Sequence, residues 1–228
     1  MNTFILTSEY RFDQPWLISK IRDYFGEHSR ILVIAFAFYR DEECDSDAFL
    51  AKGGKNGCYT ELLSQQLSAL GVCADQIEVL NFYDDTPQKM KQKIQWANTL
   101  IFSGGSCELT YERVCALDLL NDIVSFRGVI CGASAGALVQ QSRYINFLEG
   151  EFVQRKGFGT LPNCGAIIVH NGKCLIGKNV DYSFLTDQFH TDIVMIGDEG
   201  AVVINATGVE LVGDAKRILA NTTPRRTE

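Results

Sequence analysis

No apolar run in this chain approaches the ~20 residues that a helix needs to cross a bilayer. Mean hydropathy close to zero likewise excludes a membrane-dominated chain. The opening MNTFILTSEYRFDQPW lacks the basic start and long apolar stretch of a signal peptide, so a cytoplasmic location is expected. Basic charge is short as well: 21 Lys and Arg stand against 28 Asp and Glu, a formal net charge of −7. That balance argues against a nucleic-acid partner, which would require a basic face. Histidine is rare, with 3 in the chain, and the 8 cysteines include no C-x-x-C pair. The close ligand pairs of a zinc site are therefore missing. Cys115 and Cys131 lie inside apolar patterns, where a free thiol acts as a small hydrophobe, and reduced core cysteines are expected. Neither linker nor repeat interrupts the 228 residues before the polar tail NTTPRRTE, which predicts one domain over 1–228.

What is present is an alternation of strand-like and helix-like segments. RILVIAFAF (30–38) is a continuous apolar run rich in branched residues, as in a strand covered on both faces. After a long polar stretch, ELLSQQLSAL places Leu63, Leu67 and Leu70 at helical spacing, and QIEVLNF (76–82) reads as the next strand. Thr86 before Pro87 is a helix-start signal with proline at the first helical position. NTLIFSGG is a strand followed by a glycine turn. ELTYERVCALDLLNDIV carries Leu109, Ala116, Leu117, Leu120 and Val124 along one helical face, and GVICGAS is strand again. Four such units in order predict an α/β fold with a doubly wound, mostly parallel sheet and helices on both faces. Beyond about residue 143, CGAIIVH, CLIGKNV, IVMIG and AVVINATGVELVG read as hairpins that extend the same domain.

At VICGASAGALVQ (129–140) a buried strand gives way to a helix pattern through Gly132-Ala133-Ser134-Ala135-Gly136. G-x-S-x-G at such a junction is a nucleophile elbow, a turn so tight that the positions two before and two after the serine must be nearly free of side chain. It presents the Ser134 hydroxyl at the carboxyl end of the sheet, where open α/β folds carry their sites. A nucleophile of this kind needs amide donors for developing negative charge. Gly104-Gly105, ending the strand in IFSGGS, and the amide of Ala135 at the helix start are the candidates for an oxyanion hole.

Taken together, IFSGG, CGASAGALVQ, KGFGTLPNCGAIIVH and VMIGDEGAVVI resemble the family of peptidase E (aspartyl dipeptidase) and cyanophycinase. These are serine peptidases on a fold akin to that of class I glutamine amidotransferases, and the resemblance runs from about residue 30 to 213. It implies a Ser-His-Glu triad in that chain order, with Ser134 as nucleophile, His170 as base and Glu199 as acid. A small intracellular peptidase acting through an acyl-enzyme on a small peptide or amide is what this implies. No metal or organic cofactor is called for, and a homodimer is compatible with such a fold.

The residues themselves favour the same base. His28 precedes the first of these strands and should lie away from the carboxyl ends, whereas His170 ends an apolar strand at an Asn-Gly turn signal. His190, in TDQFHTD, is the alternative. Asp198 and Glu199 are adjacent candidates for the acid, pointing to opposite sides of a strand, and alignment to the EG pair favours Glu199. Two departures from the family stand out. Asn171 follows the histidine where the family has an aromatic residue, and residues 171–198 contain no arginine, Lys173 and Lys178 being their cations. Arginine there would suit an aspartyl side chain by its two parallel donors, so strict aspartyl selectivity is not expected unless a cation such as Arg40 is recruited. The acidic YRDEECDSDAFLAKGGKNG after the first strand reads as a solvated loop at the same end of the sheet. Outside the peptidase reading stand a non-catalytic, amidotransferase-like binding domain and a hydrolase of non-peptide amides or esters.

Overall fold

In a computed structural model of the chain, the structure describes residues 2–39, 45–148, 151–170 and 182–220. The strands are β1 (Thr3–Thr7), β2 (Ile31–Ile34), β3 (Ile77–Val79), β4 (Thr99–Phe102), β5 (Val129–Ala133), β6 (Arg143–Leu148), β7 (Glu151–Lys156), β8 (Ala166–Ile168), β9 (Ile193–Met195), β10 (Gly200–Asn205), β11 (Gly208–Gly213) and β12 (Lys216–Ile218). The α-helices are α1 (Pro15–Ile21), α2 (Ser46–Lys52), α3 (Cys58–Ser68), α4 (Pro87–Trp96), α5 (Cys107–Ala116), α6 (Leu120–Ser125), α7 (Ala135–Leu138) and α8 (Ser183–Phe189).

A seven-stranded sheet in the order β11-β10-β1-β5-β4-β2-β3 organises the molecule. Strands β1, β5, β4, β2 and β3 run parallel, while β10 and β11 join antiparallel at one edge. Side chains alternate between its faces, as the pleat requires. Phe4, Leu6, Leu32, Ile34, Leu100 and Ile130 pack with Met90 and Ile94 of α4, Val114 of α5 and Ile123 of α6. On the other face Ile5, Ile31, Val33, Ile101 and Cys131 pack with Leu17 and Ile21 of α1, Phe49 of α2 and Leu63 and Leu67 of α3. Burial on both sides is why these strands read as continuous apolar runs rather than alternating ones.

Several predicted elements come out shorter or split. The run RILVIAFAF is strand only over β2; Phe36 and Phe38 leave the sheet but stay buried, their carbonyls receiving hydrogen bonds from Arg113 Nη1 at 3.0 and 3.3 Å. The single helix expected over ELTYERVCALDLLNDIV is two, because Asp118 adopts a left-handed conformation (φ 54°) between α5 and α6. Aspartate is among the few residues that tolerate this region. Ser46–Lys52 of the expected acidic loop is the helix α2, N-capped by Asp45, whose side chain accepts a bond from Ala48 N. Of the expected hairpins only β10–β11 extends the main sheet. The pair β8–β9 forms a separate three-stranded sheet with β12, and CLIGKNV lies outside the described residues. Cys107, Cys131 and Cys164 are buried free thiols, whereas Cys115 is exposed, against expectation.

Several elements are absent from the sequence reading, among them α1, the β6–β7 hairpin, α8 and β12, and the one that bears on the site is β1. TFILT is a short run at the start of the chain, and it becomes the neighbour of β5 in the middle of the sheet. Its carboxyl end leads into Ser8, Glu9 and Tyr10, beside the elbow.

Candidate active site

Four parallel strands, β1, β5, β4 and β2, bring their carboxyl ends together, and the candidate residues lie there. Ser134 follows β5 with φ 50° and ψ −116°, and its amide bonds to Thr7 O of β1 at 2.9 Å. Such a conformation is costly for a residue with a side chain, of order 1–3 kcal/mol, and is held by the surroundings. The flanking glycines are obligatory for a steric reason. A Cβ on Gly132 would lie 2.3 Å from Gly136 O, and one on Gly136 would lie 2.3 Å from Phe102 O. The elbow therefore packs backbone against backbone, as its spacing predicts.

His170 follows β8, itself in the left-handed region at φ 56°. Its amide donates to Ser8 Oγ at 2.7 Å, and Ser8 Oγ donates to Ile196 O at 2.7 Å. The second small sheet is thereby tied to the end of β1. This fixes the ring so that Nε2 stands 3.1 Å from Ser134 Oγ and Nδ1 stands 3.1 Å from Asp198 Oδ1. The His170 side chain is 16% exposed and that of Asp198 is 42% exposed.

The carboxylate presented to the ring is therefore that of Asp198, one residue before the expected Glu199. Glu199 is exposed, and its backbone carbonyl accepts from Asp214 N at 3.2 Å. The turn that sorts the two is packed tightly: a Cβ on Gly197 or Gly200 would lie 1.9 or 2.4 Å from the Asp214 carboxylate. A second acid missed in the sequence is Glu9, whose Oε1 lies 3.7 Å from His170 Nδ1. No local motif marked Glu9 or Ser8; only the apolar run of β1 could have placed them at a strand's carboxyl end. The other histidines stand apart: His190 is exposed and caps α8 at φ 51°, and His28 is an exposed residue before β2. Glu9, His170 and Asp198 each bring one ligand-type atom within 4.8 Å of the others, the one cluster of that kind among the described residues. Its two carboxylates are wholly or partly exposed, an arrangement common without an ion.

The glycine turn after β4 also differs in detail from expectation. Gly104 N donates to Tyr10 Oη at 2.9 Å, and Tyr10 in turn donates to Phe102 O at 2.9 Å. Burial pushes the Tyr10 hydroxyl well above its ordinary pKa, so it stays protonated and keeps both bonds. The Gly104 amide is thus engaged. Gly105, at φ 131°, has no room for a side chain, since a Cβ would lie 2.2 Å from Ala37 O. The amides of Gly105 and Ala135 make no hydrogen bond among the described residues. Both border a cavity of about 220 Å³ whose wall also includes Ser134, His170, Glu108 and Asn146. Lys173, Lys178, Asn171 and Arg40 lie outside the described residues.

Fold and junction define the molecule as a doubly wound α/β protein with a serine elbow. Several solved structures share that fold, among them two with peptidase names. One is a peptidase from an acI-B1 Actinobacterium, with TM-score 0.66, 21% identity, and coverage of 98% of this chain and 92% of that one. The other, from Listeria monocytogenes EGD-e, is named provisionally as a peptidase E protein. It has TM-score 0.58, 15% identity, and coverage of 96% of this chain and 99% of that one. No protein-family model matches the chain, and no curated protein matches it either. Among the described residues no helix is long and apolar enough to cross a membrane.

Proposed function

We propose that this chain is a serine hydrolase, a small peptidase acting through an acyl-enzyme with Ser134, His170 and Asp198 as its triad. The observation that carries the reading is the unbroken hydrogen-bonded line from Ser134 Oγ through both ring nitrogens of His170 to Asp198. A serine hydroxyl is a poor nucleophile until a base takes its proton, and an imidazole held by a carboxylate does this near neutral pH. In the proposed reaction Ser134 Oγ attacks the scissile carbonyl while its proton passes to His170 Nε2. Asp198 supports the imidazolium and holds the tautomer. The carbonyl oxygen, now an anion, accepts hydrogen bonds from the amides of Ala135 and Gly105, which border the cavity and are unbonded among the described residues. His170 then protonates the leaving amine, and water, activated by the same base, hydrolyses the ester on Ser134.

The size of the cavity, about 220 Å³, favours a small peptide or amide over a folded protein substrate. The peptidase names of the two structural neighbours support the same class. Fluorophosphonate labelling followed by peptide mapping tests the reading. The expected result is an adduct on Ser134 that is lost in Ser134→Ala and in His170→Ala. An accessible Ser134 that does not react would overturn it in favour of a non-catalytic binding domain.

A further inference from the structure

Glu108 stands in the wall of the Ser134 cavity and has no part in the chemistry proposed above. It lies in the first turn of α5, where the helix dipole favours a carboxylate. Its side chain is held firmly. Oε1 accepts from Asn146 Nδ2 at 2.9 Å and from Tyr144 Oη at 3.2 Å, and Oε2 accepts from Ser106 Oγ at 3.3 Å. Burial, then the neighbouring Cys107 and Glu108, keep the Tyr144 phenol protonated, so it remains a donor to Glu108. All three partners are neutral, and among the described residues no cation pairs with Glu108. A half-buried negative charge that faces a substrate-sized cavity, is oriented by neutral donors and has no cation beside it among the described residues suits a cationic ligand group.

From this cavity and its oriented carboxylate, unpaired among the described residues, we infer that Glu108 binds a protonated amine on the acyl part of the substrate. The inference rests on the hydrolase reading for the location of that acyl part. An α-ammonium, as on an amino-terminal residue, and a basic side chain offer the same chemistry. Glu9 and Asp198, beside His170 Nδ1, add negative charge behind the ring. An aspartyl side chain entering here would meet like charge, and an ammonium would meet its opposite.

The test is binding to full-length Ser134→Ala, which keeps the ligand intact. Calorimetry would compare L-alaninamide, N-acetyl-L-alaninamide and N-acetyl-L-lysinamide, with and without Glu108→Gln. The expected result is that one amine-bearing ligand binds about tenfold or more tightly than N-acetyl-L-alaninamide, as a charge-assisted hydrogen bond provides. Glu108→Gln should bring that ratio to about one, and Glu108→Asp should restore part of it. Preference for L-alaninamide would assign the α-ammonium, and preference for N-acetyl-L-lysinamide a side chain. A merely structural Glu108 would shift the melting midpoint without changing the ratio. Should Glu108→Gln fail to fold, Glu108→Ala takes its place. The inference is overturned if neither amine is preferred, or if the preference survives removal of the charge. Failure of the hydrolase reading would show separately, as missing fluorophosphonate adduct on Ser134, and leaves the binding ratio readable.

Discussion

Replacing Asp198 by asparagine removes a charge and one acceptor but little volume, so the ring stays packed while its support changes. In a well-buried triad, loss of the acid's charge lowers turnover by about 10⁴. Two features of this site lessen the loss. The Asp198 side chain is 42% exposed, so water already screens part of its field. Glu9 Oε1 lies 3.7 Å from the same ring nitrogen and can take up part of the role. The expected fall for Asp198→Asn is therefore on the order of 10²–10³. Glu199→Gln should stay within about threefold, because that side chain is exposed and makes no bond to the ring among the described residues. The second-order rate of Ser134 modification by a fluorophosphonate measures this without knowledge of the natural substrate. Adding Glu9→Gln to Asp198→Asn should cost about a further factor of ten. A large effect of Glu199→Gln together with a small one of Asp198→Asn would refute the assignment.

The two remaining candidate histidines should separate cleanly in the same assay, with His170→Ala as damaging as Ser134→Ala and the exposed His190→Ala within about threefold; the reverse order would sink the proposed base. Away from the site, Asp85 is buried, which by itself would raise its pKa, yet hydrogen bonds from Lys89, Lys93 and the Asn81 amide hold it below the usual carboxylate range. A depressed folded pKa contributes stability that is present above the unfolded value of about 3.9 and is lost as pH falls through the folded one. Urea midpoints measured from pH 5 downward should therefore drop less steeply in Asp85→Asn than in the parent, and equal slopes would contradict the ion-pair account. On a panel of dipeptides differing only at the amino-terminal residue, Asp should not be preferred over Asn, Ala or Leu, and a large Asp preference would point to a cation recruited to the cleft.

The elbow was legible in the sequence because its constraint is local. Only glycine avoids collision at 132 and 136, and that demand appears directly as G-x-S-x-G between a strand and a helix. The parallel sheet was legible for a related reason, since burial on both faces writes itself as unbroken apolar runs in β2, β4 and β5. The helix start at Thr86 follows from the cap chemistry of a single side chain. The N-terminal strand went unread because TFILT is too short to declare its period, and only pairing with β5 and β10 makes it a strand.

Tertiary structure alone decided which groups meet around His170. Ser8 and Glu9 lie more than 150 positions before it in the chain, and no local pattern brings them to the ring; the parallel neighbourhood of β1 and β5 does. Gly104 was expected as an oxyanion donor from its place in a glycine turn, but Tyr10, delivered by that same strand, takes its amide. Asp198 and Glu199 are both acids at one turn, and their order carries no information about direction. The tight packing of Gly197 and Gly200 against Asp214 sets the backbone there, and that rotation alone faces Asp198 to the imidazole and leaves Glu199 in water.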